Sequence, residues 1–216
     1  NDGMVTNVLI QYLLWSKSVV DQSINQQMDV EPREILERVL TQTMDVQSIA
    51  RTTIGLRFVH LYSRFKDWTK TNLDIIFPDV NSHRKGWKMT WEGYIAATNL
   101  ERDIYLDLRP QYVIAIRKID GLSEHARNRT IEHVILVFIH GLEDLNQSLL
   151  KRLAASEKPE VRSAIFRSMG FYLNSLVKKP EVKGVGEITD RCREYWEWRL
   201  NELEPSGEGE RAALSG

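Results

Sequence analysis

Val5, Val8, Leu9, Tyr12 and Leu13 stand at positions i, i+3, i+4, i+7 and i+8, the spacing that lines side chains up along one face of an α-helix. Val19 and Val20 prolong the pattern, which predicts a first helix. The same recurrence returns along the whole chain. After a polar stretch from Asp21 to Asp29, Glu31-Pro32 puts proline at a tolerated first-turn position ahead of Ile35, Leu36, Val39 and Leu40, a second helix. Asp45 reads as the cap of a long third helix carrying Ile49, Ile54, Phe58, Leu61, Tyr62, Phe65 and Trp68, and Pro78 closes a further apolar stretch at Leu73, Ile76 and Phe77.

Asn81-Ser82 opens a segment whose helical face is aromatic: Trp87, Trp91 and Tyr94, with Ile95. Ile104, Tyr105, Leu108, Tyr112, Ile116 and Ile119 follow, with Pro110 inside the pattern, which predicts a kink or short break near Arg109; Gly121 ends the element. Ser123-Glu124 starts a helix bearing Ile131, Val134, Ile135, Phe138, Ile139 and Leu142. From Val134 to Ile139 it is apolar almost all round, the mark of a central, buried helix. A short helix at Leu145, Leu149, Leu150 and Leu153 precedes one at Val161, Ala164, Ile165, Tyr172 and Leu176. The last runs over Ile188, Cys192, Tyr195, Trp196 and Leu203. His133 to His140 has enough β-branched residues for a strand taken alone, but no partner run exists and the helical period continues through it.

Gly and Pro together make about 8% of the 216 residues, against a usual background of roughly 12%, so long elements are favoured over turns. Loops of a few residues make consecutive helices antiparallel neighbours. The expected fold is all-α, an irregular stack of antiparallel helix pairs, with about eight to ten helices. It forms one domain over 4–204, with N-terminal helices over 4–78 and a second set over 82–204, followed by a flexible tail or linker over 205–216. The opening Asn-Asp-Gly and the closing Pro-Ser-Gly-Glu-Gly-Glu-Arg-Ala-Ala-Leu-Ser-Gly read as an excised piece of a larger protein.

Lys158-Pro159-Glu160-Val161-Arg162-Ser163-Ala164-Ile165, followed by Met169-Gly170, resembles the start of the second helix of a HEAT repeat. There, proline starts the helix, Val and Ala face the neighbouring repeat, and Arg reaches toward adjacent carbonyls or carboxylates. The resemblance covers one repeat and implies a HEAT- or armadillo-like α-solenoid. Trp91-Glu92-Gly93-Tyr94, Leu108-Arg109-Pro110-Gln111-Tyr112 and Trp196-Glu197-Trp198-Arg199 are similar to the helical C-terminal region of large bacterial proteins with sirtuin-like or P-loop N-terminal parts, several of them tied to antiphage defence. That likeness spans roughly residues 80–216. It implies a sensing or assembly part, with any NAD or nucleotide chemistry outside these residues.

Chemistry-bearing motifs are sparse. His133 and His140 are seven residues apart on one helical face, about 10 Å from each other, too far to share one metal. His125, eight residues before His133 and preceded by Glu124, makes a ligand cluster imaginable, but the five histidines, His60 and His83 included, read as structural or surface residues. Gly184-Val185-Gly186-Glu187 lacks the third glycine of a dinucleotide fingerprint and the Gly-Lys-Ser/Thr of a P-loop, and reads as a flexible interhelical loop. Cys192, the single cysteine, shares an apolar face with Ile188 and Tyr195 and reads as a core residue. Glu101, Asp103 and Asp107 read as solvating an outer helix face. Trp87, Trp91 and Tyr94 read as core, with a stacking surface for a ligand as the alternative. No catalytic, cofactor or metal residue is assigned.

Surface charge carries the remaining signal. The chain is almost neutral at −1, which argues against non-specific polyanion binding, yet Lys151 to Lys183 is net +5 and Glu187 to Arg211 net −4. The candidate interaction surface comprises Arg84, Lys85, Lys88, Lys151, Arg152, Lys178, Lys179 and Lys183. Without a disulfide or a bilayer-length apolar run, the expected compartment is the cytoplasm and no membrane is involved. The expected function is a non-catalytic protein-interaction, sensor or scaffold region of a larger bacterial protein. Its partner is another protein or neighbouring domains of its own chain. The rival reading is a nucleic-acid-binding helical repeat or a helical-repeat DNA glycosylase, which needs a continuous basic groove.

Overall fold

The computed structural model describes residues 4, 7–8, 10–12, 30–41, 48–156, 158–178 and 184–202. The readings of Val5, Leu9, Leu13, Val19, Val20, Asp45, Lys179, Lys183, Leu203 and the tail lie outside these. All regular structure among the described residues is helical, with no strand. Beyond helical residues at 7–8 and 10–12, the helices are α1 (Val30–Thr41), α2 (Ser48–Leu56), α3 (Phe58–Arg64), α4 (Lys66–Thr71), α5 (Leu73–Ile76), α6 (Arg84–Ala97), α7 (Arg102–Arg117), α8 (Glu124–Ile139), α9 (Leu149–Ala154), α10 (Pro159–Val177) and α11 (Val185–Glu202). Short 3-10 turns occupy Ile119–Gly121 and Leu145–Gln147. Two compact units result, Asn1–Thr130 and Ile131–Gly216, the division falling within α8.

The helix count exceeds the expected eight to ten in part because the single long helix predicted from Asp45 to Trp68 is three short ones, α2 to α4, with α5 on the further apolar stretch after it. The backbone leaves helical geometry at Arg57, Phe65 and Asn72. Each break turns the chain so that Phe58, Leu61, Phe65, Trp68 and Ile76 all point inward, and all are buried. None of the break residues is Gly or Pro, so nothing local announces them. Asn72 offsets part of the cost by donating its side-chain amide to the Trp68 carbonyl at 2.8 Å. Arg51 closes two further helix ends: its buried guanidinium donates to the carbonyls of Leu40 at 2.6 Å, Ile75 at 3.1 Å and Ile76 at 3.3 Å.

The core of the first unit is aromatic. Phe58 meets Phe77 and Tyr94 edge-on at 5.4 and 5.5 Å, and Tyr112 meets Trp91 and Tyr105 edge-on at 4.9 and 5.2 Å. Such edge-to-face pairs match the negative ring face of one partner to the positive edge of the other. The hydroxyls of Tyr94 and Tyr112 bond to each other at 3.2 Å; burial pushes the Tyr94 phenol up to about 12 and that of Tyr112 well above its ordinary value.

α7 runs as one helix through Pro110, so of the kink or short break expected near Arg109 the break does not occur. Pro110 and Leu106, whose carbonyl loses its helical donor, both face solvent, so water can serve the freed carbonyl. α8 starts where Ser123 accepts the Ala126 amide at 3.4 Å, and Ile131, Val134, Val137 and Phe138 are fully buried along it, as its apolar run predicts. Gly141, at φ +71, takes the left-handed conformation that ends this helix. In the second unit Arg191 covers that end, donating to the Glu143 carbonyl at 3.3 Å. α10 begins at Pro159, and Val161, Ala164, Ile165 and Met169 are buried on one face. Arg162 donates to the Ser156 carbonyl at 2.8 Å.

Candidate basic cleft

α6 is introduced by a tight turn. The Asp79 carboxylate accepts the amides of Asn81 and Ser82, both at 3.3 Å, and the Ser82 hydroxyl at 3.0 Å; these bonds hold its pKa below the usual carboxylate value. The inner face of the helix is then fixed by indoles. Trp87 and Trp91 are buried and stack parallel, centroids 5.9 Å apart and planes 4° apart. The Trp87 Nε1–H donates to Gln111 at 2.8 Å, and that of Trp91 to the Thr130 hydroxyl at 3.2 Å. Both rings are core, and their polar edges are used inside the first unit. With 87 and 91 inward, Arg84 and Lys88, one turn apart, share the flank of the same helix.

The opposite wall comes from the segment joining α7 to α8. Lys118 follows the last residue of α7 and its amide bonds to the Ile114 carbonyl at 2.9 Å; a cation is favoured at this negative helix end. The 3-10 turn is anchored by buried Ile119 and Leu122 and closed by the Gly121 amide on the Lys118 carbonyl at 2.8 Å. Between the two walls lies a small open cleft lined by Val80, Arg84, Trp87, Lys88, Lys118, Gly121 and Leu122. Glu92 ties the walls together. Its carboxylate accepts the Ser123 amide at 2.6 Å and lies 3.7 Å from the Lys88 ammonium. Among the described residues, Arg84 and Lys118 have no carboxylate at ion-pair distance. A Cβ on Gly121 would sit 3.0 Å from the Arg84 guanidinium, so the glycine leaves that group its room.

Of the basic residues singled out in the sequence, Arg84 and Lys88 meet in this cleft, and exposed Lys85 sits beside them on α6 without lining it. Lys151, Arg152 and Lys178 belong to the second unit, where the Lys151 ammonium lies 5.1 Å over the Trp198 ring and Arg152 and Lys178 are exposed. Lys118 was not anticipated. It stands 34 positions after Arg84, at the end of a helix read only for its apolar face, and no spacing rule connects the two.

The remaining residues of chemical interest are occupied structurally. Cys192 is buried, and burial pushes its thiol up to about 11, the opposite of an activated nucleophile. His140 bonds to the Tyr172 hydroxyl at 3.0 Å, and burial lowers its pKa. No three His, Cys, Asp or Glu residues among those described are grouped to hold a metal ion. Gly184, at φ +84, is a turn, but Val185, Gly186 and Glu187 form the first turn of α11 rather than the loop expected. Asp107, read as a solvating residue, accepts the Tyr62 hydroxyl and the Lys70 ammonium, the latter at 3.1 Å, while Asp103 pairs with Lys66 at 3.2 Å. Trp196 stacks on Phe166 at 4.7 Å, which places the Trp196-Glu197-Trp198 motif in helix packing. No described helix is long and apolar enough to cross a membrane. No protein-family model, curated protein or solved structure matches the chain.

Proposed function

We propose that the chain is a non-catalytic interaction region, a scaffold or sensor part of a larger cytoplasmic protein, built as an irregular HEAT- or armadillo-like stack of helix pairs. The observation that carries this reading is the cleft between α6 and the α7–α8 connection, where Arg84, Lys88 and Lys118 stand around an apolar floor of Val80, Trp87 and Leu122. Cations at the edge of apolar surface suit recognition of an anionic group on a partner, the apolar floor supplying contact area and the charges supplying orientation and encounter rate. The indoles and the thiol described above are buried in the packing and the histidine is bonded to the Tyr172 hydroxyl, which supports binding over turnover as the use of this surface.

The test is binding by the purified chain before and after charge reversal. A protein partner captured from a bacterial lysate and then reconstituted pure should bind the chain, and Arg84→Glu with Lys118→Glu should weaken that binding by more than tenfold while the circular-dichroism spectrum stays helical. Tight, salt-dependent binding of DNA or RNA oligonucleotides, or turnover of NAD or ATP, would replace this reading with the nucleic-acid or enzymatic one.

A further inference from the structure

We infer that the Arg84–Lys88–Lys118 cleft binds a phosphomonoester group. The charge count selects the ligand. Glu92 stands against Lys88, while Arg84 and Lys118 bring two further cations to the cleft with no carboxylate at ion-pair distance among the described residues. A phosphomonoester carries about −1.5 to −2 at pH 7, whereas a carboxylate or a phosphodiester carries −1. The size agrees. The cleft is small and open to solvent, which suits a single tetrahedral group seated at its mouth rather than an enclosed nucleotide.

The donors agree as well. A guanidinium offers a planar pair of N–H groups to two phosphate oxygens, and each ammonium adds a point charge with rotatable donors. Gly121 keeps the wall beside the guanidinium bare, so an oxygen can approach where a side chain would crowd it. Glu92 acts through Lys88 and the Ser123 amide as a positioning residue, holding both walls of the cleft at one separation.

This inference rests on the interaction reading only for the source of the phosphate, a modified side chain on the partner or a free ion. Its chemistry is tested with small probes on the whole chain. Amide spectra of nitrogen-15-labelled protein are followed during titration with inorganic phosphate, the N-acetyl amide of phosphoserine, dimethyl phosphate and acetate, at one pH and one ionic strength. Saturable shifts of the Gly121 amide and the Trp87 indole N–H are expected for the two phosphomonoester probes, with dimethyl phosphate and acetate binding at least about tenfold more weakly.

Arg84→Gln and Lys118→Gln should each lower affinity by about tenfold, the equivalent of one charge-assisted hydrogen bond, and Lys85→Gln by less than about twofold. Unchanged amide positions in the rest of the spectrum show that these variants fold. Tighter binding of the phosphoserine amide identifies a side-chain source, and tighter binding of inorganic phosphate a free ion. Absence of saturable shifts, equal response to the monoanions, or shifts that survive both Gln substitutions would overturn the inference. Protein-partner binding that persists in that case leaves the interaction reading standing on its own.

Discussion

The Cβ that Gly55 lacks would lie 3.1 Å from the Cα of Gly93 and 2.8 Å from the Tyr94 amide nitrogen, so α2 and α6 cross backbone against backbone. A Cβ on Gly93 would in turn meet the Leu56 amide at 3.1 Å and the Thr52 carbonyl carbon at 3.2 Å. Neither helix can yield, because the obstructing atoms are main chain and the far side of α6 carries the Trp87–Trp91 stack.

Gly55→Ala and Gly93→Ala should each destabilise the first unit by about 3 kcal/mol, at the upper end for overpacking. Gly170→Ala should do the reverse. Gly170 is an exposed position inside α10 with nothing within 4 Å of an added Cβ, and alanine there should stabilise by about 0.5–1 kcal/mol. Urea unfolding followed by circular dichroism checks both signs, and a neutral Gly93→Ala would refute the crossing.

Asp107 predicts acid sensitivity. Burial alone would raise its pKa, but the hydrogen bonds from Tyr62 and Lys70 prevail and hold it below the usual carboxylate value. A depressed folded value means that the stabilisation is complete above the unfolded value of about 4 and is lost as pH falls through the folded one. Asp107→Asn should cost about 1 kcal/mol at pH 7 and flatten the decline between pH 5 and pH 2. Denaturation midpoints of both proteins across that range decide it.

His140 predicts a second, higher window. Its folded pKa is lowered by burial, so the unfolded chain binds the proton more readily. The contribution is whole above the unfolded value of about 6.5 and declines as pH falls from there toward the folded value. Carbon-bound imidazole protons observed by NMR should titrate below pH 6.5 for His140. Tyr172→Phe, which removes the 3.0 Å bond, should shift that midpoint without unfolding α10.

Cys192 should resist thiol reagents. With its thiol buried and pushed up to about 11, thiolate is scarce at pH 8 and reagent cannot reach it. Reaction with a disulfide reagent should be slower than that of free cysteine by more than about a hundredfold in the native protein, and match it in 6 M urea. Rapid native labelling would contradict the burial.

Periodicity alone locates much of this architecture. The apolar run of α8, the proline start of α10 and the aromatic face of α6 are each legible because one local rule, side-chain spacing against the 3.6-residue turn, decides them. The breaks at Arg57, Phe65 and Asn72 are illegible for the complementary reason. They satisfy burial of residues brought together from elsewhere in the chain, and the break residues themselves have ordinary helical propensity. Half the cleft was visible as the cluster at Arg84 and Lys88. Lys118 was hidden, because only the return of the chain through α7 sets it across from them.

Helicity, the inward faces and the burial of Cys192, Trp87 and Trp91 follow from residue order itself, since hydrophobic faces at helical spacing have one favourable way to leave water. Which cations share a cleft, which acid ends up under the Tyr62 hydroxyl and which glycines touch backbone to backbone were decided by tertiary packing. Each of those brings together residues thirty or more positions apart, and a distance that large along a chain carries no information about distance in space until the helices between have found their places.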